Sequence, residues 1–254
     1  MSDPELNLPS AGPEPLPWDT ALAAVLGYAR GRRPLHFRSP TDRDGRWVDL
    51  PAFGYERFDR RPRAEGELGG DDILIAEGLH GRLAPDAWVA VKSALDDVHP
   101  LADAAVTRAA GRPFWDLPDD EFSVLAEPGT VGAALREIGL HSAEAPGVRP
   151  KYVAAALHHR HPDVVPLLVR TTRWQLLPHL REGDSGVEAV IHRELRANAA
   201  AFQRLETDVA RVLGAPLTRL RLHDVLLWLS ATLRLTHAVQ LGRAADEWRT
   251  IPPR

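Results

Sequence analysis

The amino-acid sequence predicts a mainly α protein, a helical bundle with a small irregular or β segment near its N-terminus. From about residue 71 onward, apolar residues recur at the three- and four-residue spacing of helices that bury one face. Residues 34–62 instead contain short apolar runs separated by turn residues, as in the stretch DRDG. Such interruption is typical of short strands and loops.

The first quarter of the chain divides into a tail and a segment. Residues 1–17 are rich in proline, and we expect a disordered tail there. Residues 18–65 form the N-terminal segment, in which Asp19–Arg30 has the pattern of an amphipathic helix capped by Asp19 or Thr20. The runs LHF, RWVDL and YERF that follow suit a small hairpin or a loop, and residues 60–72 suit a linker.

A helical domain is predicted over residues 66–245, followed by a tail at 246–254. Its shorter helices are expected at 73–83, 87–99, 101–110 and 131–140. A long helix with a buried stripe is expected over 187–214, because Gly214 and Pro216 stop the pattern. The last helix, about 220–241, is apolar nearly all round until Arg234 and is therefore assigned to the core.

Composition narrows the class of protein. The chain has 254 residues and no cysteine, so it has no disulfide, thiol nucleophile or cysteine-bound metal. Its N-terminus lacks the basic and apolar regions of a signal peptide, and the longest apolar run, Val225–Leu229, is too short to span a bilayer. We expect a cytoplasmic protein with no membrane partner. No phosphate loop, dinucleotide fingerprint or serine elbow is present, and no cofactor is predicted.

The net charge of −4 hides an asymmetry along the chain. Residues 141–254 contain 16 Lys and Arg against 11 Asp and Glu, a balance of +5, whereas the first 140 residues have a balance of −9. Between Arg149 and Arg181 there are six basic residues and one acidic residue, Asp163. A local basic face of this kind can bind phosphate even on an acidic protein, but charge alone favours a solvated face that the acidic half balances.

The stretch PGVRPKYVAAALHHRHPDVVPLLVRTTRW, residues 146–174, bears most directly on function. Pro146 and Gly147 predict a tight turn, and a helix follows at about Pro150. The first N–H groups of such a helix are free to bind phosphate oxygens without reading base sequence.

This stretch resembles the hairpin of the helix-hairpin-helix DNA glycosylase superfamily, whose turn is roughly Leu-Pro-Gly-Val-Gly. In that superfamily a lysine in the following helix is the Schiff-base nucleophile of the lyase members, and a later aspartate activates water or stabilises the oxocarbenium ion. An ungapped correspondence puts the lysine at Lys151 and the aspartate at Val169, while Arg149 replaces the second glycine. The resemblance therefore implies a helix-hairpin-helix-like element without the usual catalytic aspartate.

A wider part of the chain is similar to a group of actinobacterial proteins, the DUF6308 family. The similarity lies in LHHRHPDVVPLLVRTTRW, where Pro162, Pro166, Leu167 and Arg170 fit the family pattern and Val169 again takes the place of an aspartate. LRLHDVLLW at 220–228 and GELGGDDILIAEGLHGRL at 66–83 also fit. This resemblance covers most of the chain from about residue 55 and implies a shared fold, with little about activity.

The candidate site residues follow from these patterns. Nucleic-acid contacts are assigned to Gly147, Arg149, Lys151, Tyr152, Arg170, Arg173 and Trp174. Lys151 and Asp163 are the candidate catalytic residues, although Lys151 also suits a plain surface, and Asp163 and Asp224 suit helix caps. The alternative for Arg170, Arg173 and Trp174 is an amphipathic helix whose arginines face water.

The histidines near residue 160 complete the set of candidates. His158, His159, His161 and His179 lack a carboxylate at metal-ligand spacing, so they predict a histidine-rich basic surface and no metal site.

Three functions remain open. The leading hypothesis is a nucleic-acid-binding protein, with DNA as the possible partner, that has a glycosylase-like fold but lacks its chemistry. The alternative is a protein- or small-ligand-binding module that reuses the same fold. A minor alternative is a DNA glycosylase or lyase that uses Lys151.

Overall fold

The computed structural model describes residues 5–38, 44–144 and 150–249. These residues form eleven α-helices and two short antiparallel strand pairs, which confirms the predicted mainly α fold with a small N-terminal β segment. In chain order the elements are β1 (Glu5–Leu6), β2 (Leu16–Pro17), α1 (Trp18–Arg30), β3 (Arg32–Phe37), β4 (Arg46–Pro51), α2 (Gly70–His80), α3 (Pro85–Ala109), α4 (Val131–Glu144), α5 (Pro150–Arg160), α6 (Arg170–Leu176), α7 (Val187–Ala197), α8 (Ala199–Leu213), α9 (Arg219–Ala231), α10 (Leu235–Ala244) and α11 (Asp246–Arg249).

The centre of the bundle is helix α1, which packs against α8, α9 and α10. Its middle residues, from Ala21 to Ala29, are all buried. The predicted N-terminal segment and the C-terminal helices therefore share one hydrophobic core. No helix of the described ranges combines the length and apolarity needed to cross a membrane.

The expected disorder of residues 1–17 is wrong for residues 5–17. β1 pairs with β2, and Leu6 and Leu8 are buried against the bundle. Asn7 donates its N–H to Oδ1 of Asn198 and accepts a hydrogen bond from Nδ2 of the same side chain, both at 2.8 Å. The prediction of disorder relied on proline content, which reports only on local backbone stiffness. The contacts that order residues 5–17 are made with residues far away in the sequence, such as Asn198.

Two long predicted helices are each interrupted. The helix expected over 187–214 is two helices, α7 and α8, that meet at Asn198, and the one expected over 220–241 breaks at Leu233, which has a φ of 57°. At Asn198 the backbone departs from helical geometry, and the side chain forms hydrogen bonds with the backbone of Asn7 in the N-terminal segment. Leu233 is 94% exposed, so its apolar side chain gave a misleading periodic signal.

Two other helices extend further than expected. The segments predicted at 87–99 and 101–110 form one helix, α3, which continues through Pro100. Helix α4 continues past Gly139 to Glu144. In both cases packing between neighbouring helices, here α3 against α4, overrides the weak helix propensity of a single residue.

The crossing of α1 and α10 brings two backbones into contact at Gly27 and Gly242. A Cβ atom at Gly27 would lie 1.8 Å from the carbonyl oxygen of Ala238, and one at Gly242 would lie 1.8 Å from that of Ala23. Any side chain at either glycine would therefore force the two helices apart.

We predict that G27A and G242A each lower the free energy of unfolding by at least about 1–3 kcal/mol, the usual cost of overpacking a tight core. Urea unfolding followed by circular dichroism measures the change. G12A is the matched control, because a Cβ there meets no atom within 4 Å, and it should alter stability by less than about 0.5 kcal/mol. Equal stability of all three variants would contradict this view of the crossing.

Candidate functional site

A cleft of about 740 Å³ lies between α4, α5, α6 and the first turn of α7. We call it the cationic cleft, because four basic side chains, Arg136, Lys151, Arg170 and Arg173, line it together with a single carboxylate, Glu188. Its apolar walls are formed by residues of α4 and α5 and by the segment before α6, among them Leu135, Ile138, Ala154, Leu157 and Leu168. The volume falls in the range that holds a small ligand or part of a larger one.

None of these four basic side chains has an ion-pair partner among the described residues. Elsewhere arginines are commonly paired, as in Arg160 with Asp72 at 2.7 Å, Arg193 with Asp184 at 2.6 Å and Arg219 with Glu206 at 2.7 Å. A cation without a carboxylate partner keeps its capacity to bind an external anion. The cleft is therefore a place where positive charge is uncompensated.

Glu188 is buried on the cleft wall, in the first turn of α7. Burial raises the pKa of its carboxyl, while a hydrogen bond from its own backbone and the nearby Arg173 and Arg136 work in the opposite direction. Its negative charge, when present, reduces the positive potential of the cleft.

Lys151, in the first turn of helix α5, lines the cationic cleft. Tyr152 is buried, and its hydroxyl donates to the backbone carbonyls of Gly81 at 3.0 Å and His80 at 3.3 Å. The Nζ atom of Lys151 lies 5.1 Å from the centre of the Tyr152 ring. Tyr152 therefore fixes the start of the helix, and its ring is not exposed as a nucleic-acid contact would require.

A second cavity of about 210 Å³ adjoins the cleft. The two share the lining residues His80, Val169 and Trp228. Val169, the position to which the resemblance assigns an aspartate, thus lies between them. The Nε2 atom of His80 is shielded from solvent and has no hydrogen-bond partner in the described part of the chain. Burial, with Lys151 and Arg221 nearby, lowers the pKa of His80 to about 4.

A buried charge cluster forms one wall of the second cavity. Arg221 of α9 donates to Asp59 from Nε at 2.6 Å and from Nη2 at 3.2 Å, to the hydroxyl of Tyr28 at 2.6 Å, and to Asp224 from Nη1. The Tyr28 hydroxyl in turn donates to Asp59 at 2.6 Å. The single guanidinium of Arg221 therefore forms hydrogen bonds with two carboxyl groups, those of Asp59 and Asp224.

The pKa shifts within this cluster follow from burial and from the presence of two carboxyl groups beside a single guanidinium. Burial raises the pKa of Asp224 to about 6, although Arg221 and His223 oppose the rise. Burial also raises the pKa of Tyr28 well above its usual value. For Arg221, burial opposes the charge, but Asp59, Tyr28 and Asp224 outweigh it and raise the pKa. At neutral pH the cluster thus holds one firm cation and a carboxyl close to its titration point.

The residues that the sequence assigns to this region do not all lie in one cleft. Lys151, Arg170 and Arg173 line one cleft, whereas Trp174 is 62% exposed and does not line it. Asp163 lines a different cavity, where its carboxylate lies 3.8 Å from Arg63. Lys151 and Asp163 therefore line separate cavities. Gly147 and Arg149 lie outside the described residues.

Two sequence interpretations are wrong. Asp224 is not a helix cap, because α9 begins at Arg219 and Thr218 caps it by accepting the N–H of Arg221. His158 and His159 do not form a basic surface, because both are buried and burial lowers their pKa, to about 4 for His158. Among the described residues no cluster of three or more histidines and acids has the geometry of a metal site.

Several residues of the two cavities were missed from the sequence. Arg136, Glu188, His80 and Tyr28 belong to no recognisable motif, and neither does Asp59, which bonds to Tyr28 and Arg221 from outside the two cavities. One available signal was the charged pair Arg221 and Asp224, three residues apart inside an otherwise apolar core helix. Buried charges in such a helix need partners, and that need indicates a cluster.

Comparison with known proteins found no matching family model, curated protein or solved structure.

We predict that the pH dependence of stability differs between D224N and the wild-type protein. The pKa of the Asp224 carboxyl is about 6 in the folded protein, whereas an aspartate in the unfolded chain has its ordinary pKa of 3.8. The folded state therefore binds more protons in this window, and the Asp224 contribution to stability falls as pH rises from about 4 to 6. The asparagine variant lacks this loss, so its stability relative to wild type should rise by up to about 3 kcal/mol across the window.

Urea unfolding at a series of pH values measures this difference, and it cancels groups common to both proteins, such as His158. D120N, which removes an exposed carboxylate, is the matched control. A difference between D224N and wild type that stays constant from pH 4 to 6 would contradict the assignment.

Proposed function

We propose that the protein binds the phosphate backbone of a nucleic acid in the cationic cleft. The observation that carries this proposal is the convergence of Arg136, Lys151, Arg170 and Arg173, none of them ion-paired to a described residue, on one concave surface. Phosphate groups are the anions that such side chains hold with charge-assisted hydrogen bonds. The N-terminus of α5, an eleven-residue helix, adds the positive end of its dipole at Pro150.

Backbone binding, without base excision, is the activity that these residues support best. Val169 cannot accept or donate a proton, so the acid-base step that the glycosylase resemblance would require has no group at that position. Lys151 remains available for the minor alternative, a lyase reaction through a Schiff base. Borohydride trapping on an abasic strand is its direct test.

A small amphipathic anion is the second candidate for the cleft. The observation in its favour is the combination of apolar walls with a basic rim in a space of about 740 Å³. Such a ligand would place its apolar part against residues such as Leu157 and Leu168. Copurification of a small anion, detected by native mass spectrometry, together with no affinity for nucleic acid, would favour this candidate.

We predict that K151A/R170A/R173A lowers the affinity for DNA by more than about tenfold at low salt, because each lost phosphate contact removes counterion release. The slope of log affinity against log salt should become shallower by about 2 to 3. Fluorescence anisotropy of labelled single strands and duplexes, intact and abasic, measures both quantities.

The control for that variant is R196A/R211A/R243A. It removes three arginines whose side chains are 48% to 52% exposed, each of which is paired with a carboxylate. It should bind DNA nearly as well as wild type. If the control and the cleft variant lose the same affinity, binding follows net charge and the cleft is not the site.

We predict that E188Q raises the affinity for nucleic acid by about 3- to 10-fold at neutral pH, because it removes the one negative charge that faces the four cations. Wild-type affinity should fall as pH rises through the raised pKa of Glu188, and E188Q should lack that part of the pH dependence. Anisotropy titrations from pH 5 to 8 test this, with E182Q in the exposed loop before α7 as the control. Equal affinity of E188Q and wild type at every pH would contradict it.

A further inference from the structure

Strands β3 and β4 form a two-stranded arm that stands apart from the helices. The strands pair over six residue pairs, from Arg32 with Pro51 to Phe37 with Arg46, and neither packs extensively on another element of the described chain. All six residues of β3 are exposed. An isolated pair of strands with no packed face is only marginally stable, so its exposed side chains call for a role other than holding the fold.

Both faces of the arm carry large apolar side chains near its outer end. Phe37 is 49% exposed on one face, beside Leu35, and Trp47 is 70% exposed on the other, where its ring centre lies 5.1 Å from that of His36. Leu50, on the Phe37 face, is also exposed. Exposed aromatic rings on an isolated pair of strands can stack against planar groups of a binding partner.

Arginines accompany these rings. Arg32, Arg33 and Arg46 are exposed, and their side chains form no ion pair with a described residue. The described part of the arm contains four arginines and two aspartates, although the first 140 residues of the chain have a net charge of −9. The arm is therefore a basic projection on the acidic half of the protein, and its charge complements an anion.

The arm begins at the edge of the second cavity. Its two ends are held together by the N–H of Ala52, which donates to the carbonyl oxygen of Gly31 at 2.8 Å. Ala52 and the next residue, Phe53, line the second cavity, which adjoins the cationic cleft at Val169 and Trp228. The second cavity thus lies between the cationic cleft and the base of the arm.

We propose that the arm is a second contact surface for single-stranded nucleic acid. Phe37 and Trp47 stack on unpaired bases, while Arg33 and Arg46 hold the neighbouring phosphates. Single strands are favoured over duplexes because only unpaired bases present both faces to an aromatic ring. The inference rests on the proposed function of the cationic cleft, and it adds the class of nucleic acid and the means of distinguishing it.

The test compares variants of the arm on a labelled single strand of about 20 nucleotides and on the matching duplex. F37A/W47A removes the rings, and F37L/W47L keeps apolar side chains but cannot stack as an aromatic ring does. V124A/L125A is the matched control, because it shortens two exposed apolar side chains of a loop outside the arm. Circular dichroism and thermal unfolding verify that each variant is folded.

Stacking predicts that both ring variants lose about tenfold or more in affinity for the single strand and much less for the duplex. R33A/R46A should make the salt dependence shallower by about 1 to 2. Wild-type affinity for the single strand in F37L/W47L and R33A/R46A overturns the proposal, and so does binding of the wild-type protein to anionic lipid vesicles without binding to oligonucleotides.

The same titrations separate the arm from the cleft. If K151A/R170A/R173A loses affinity while the arm variants do not, the cleft proposal stands and the arm proposal fails. If the arm variants lose affinity while the cleft variant does not, the arm alone binds. If the wild-type protein binds neither strand nor duplex, both proposals fall.

Discussion

The buried guanidinium of Arg221 is the constraint on which the second cavity depends. An arginine taken out of water needs partners for its charge and its N–H donors, and here Asp59, Asp224 and Tyr28 accept four hydrogen bonds from Arg221. These partners come from α1, from the loop after β4 and from α9, so the cluster fixes three separate parts of the chain against one another. Loss of one partner from such a buried network typically costs roughly 3–5 kcal/mol. The position of the cavity wall is therefore a consequence of charge compensation.

The local electrostatic potential of the cleft depends on which charges are paired and only weakly on the net charge of the chain. The chain has a net charge of −4, yet the four cations of the cleft have no described carboxylate partner other than the buried Glu188 nearby. At 0.1 M salt, charges more than about 10 Å away are largely screened, so acids elsewhere on the surface have little effect on an anion in the cleft. An acidic protein can therefore have a locally basic site.

The fold class could be predicted from the sequence because apolar periodicity is a local property. The positions at which helices stop were harder, since Asn198 and Leu233 end helices for reasons that lie in distant contacts or in the backbone. For the site, Lys151, Arg170 and Arg173 were found because they follow one recognisable turn in the sequence. Asp59 and Tyr28 were not, because they approach Arg221 only after residues more than a hundred positions away have packed.

Val169 lies between the basic side chains of the cationic cleft and the buried carboxyl of Asp224 in the second cavity. On one side of it are the four basic side chains of the cationic cleft, Arg136, Lys151, Arg170 and Arg173. On the other side is Asp224, whose pKa of about 6 suits an acid or base, and His80 between them is neutral because its pKa is about 4. The cleft presents basic side chains and apolar walls, whereas the second cavity, beyond Val169 and Trp228, is lined by Asp224. Val169 and Trp228, which line both spaces, therefore lie between the basic groups of the cleft and this titratable carboxyl.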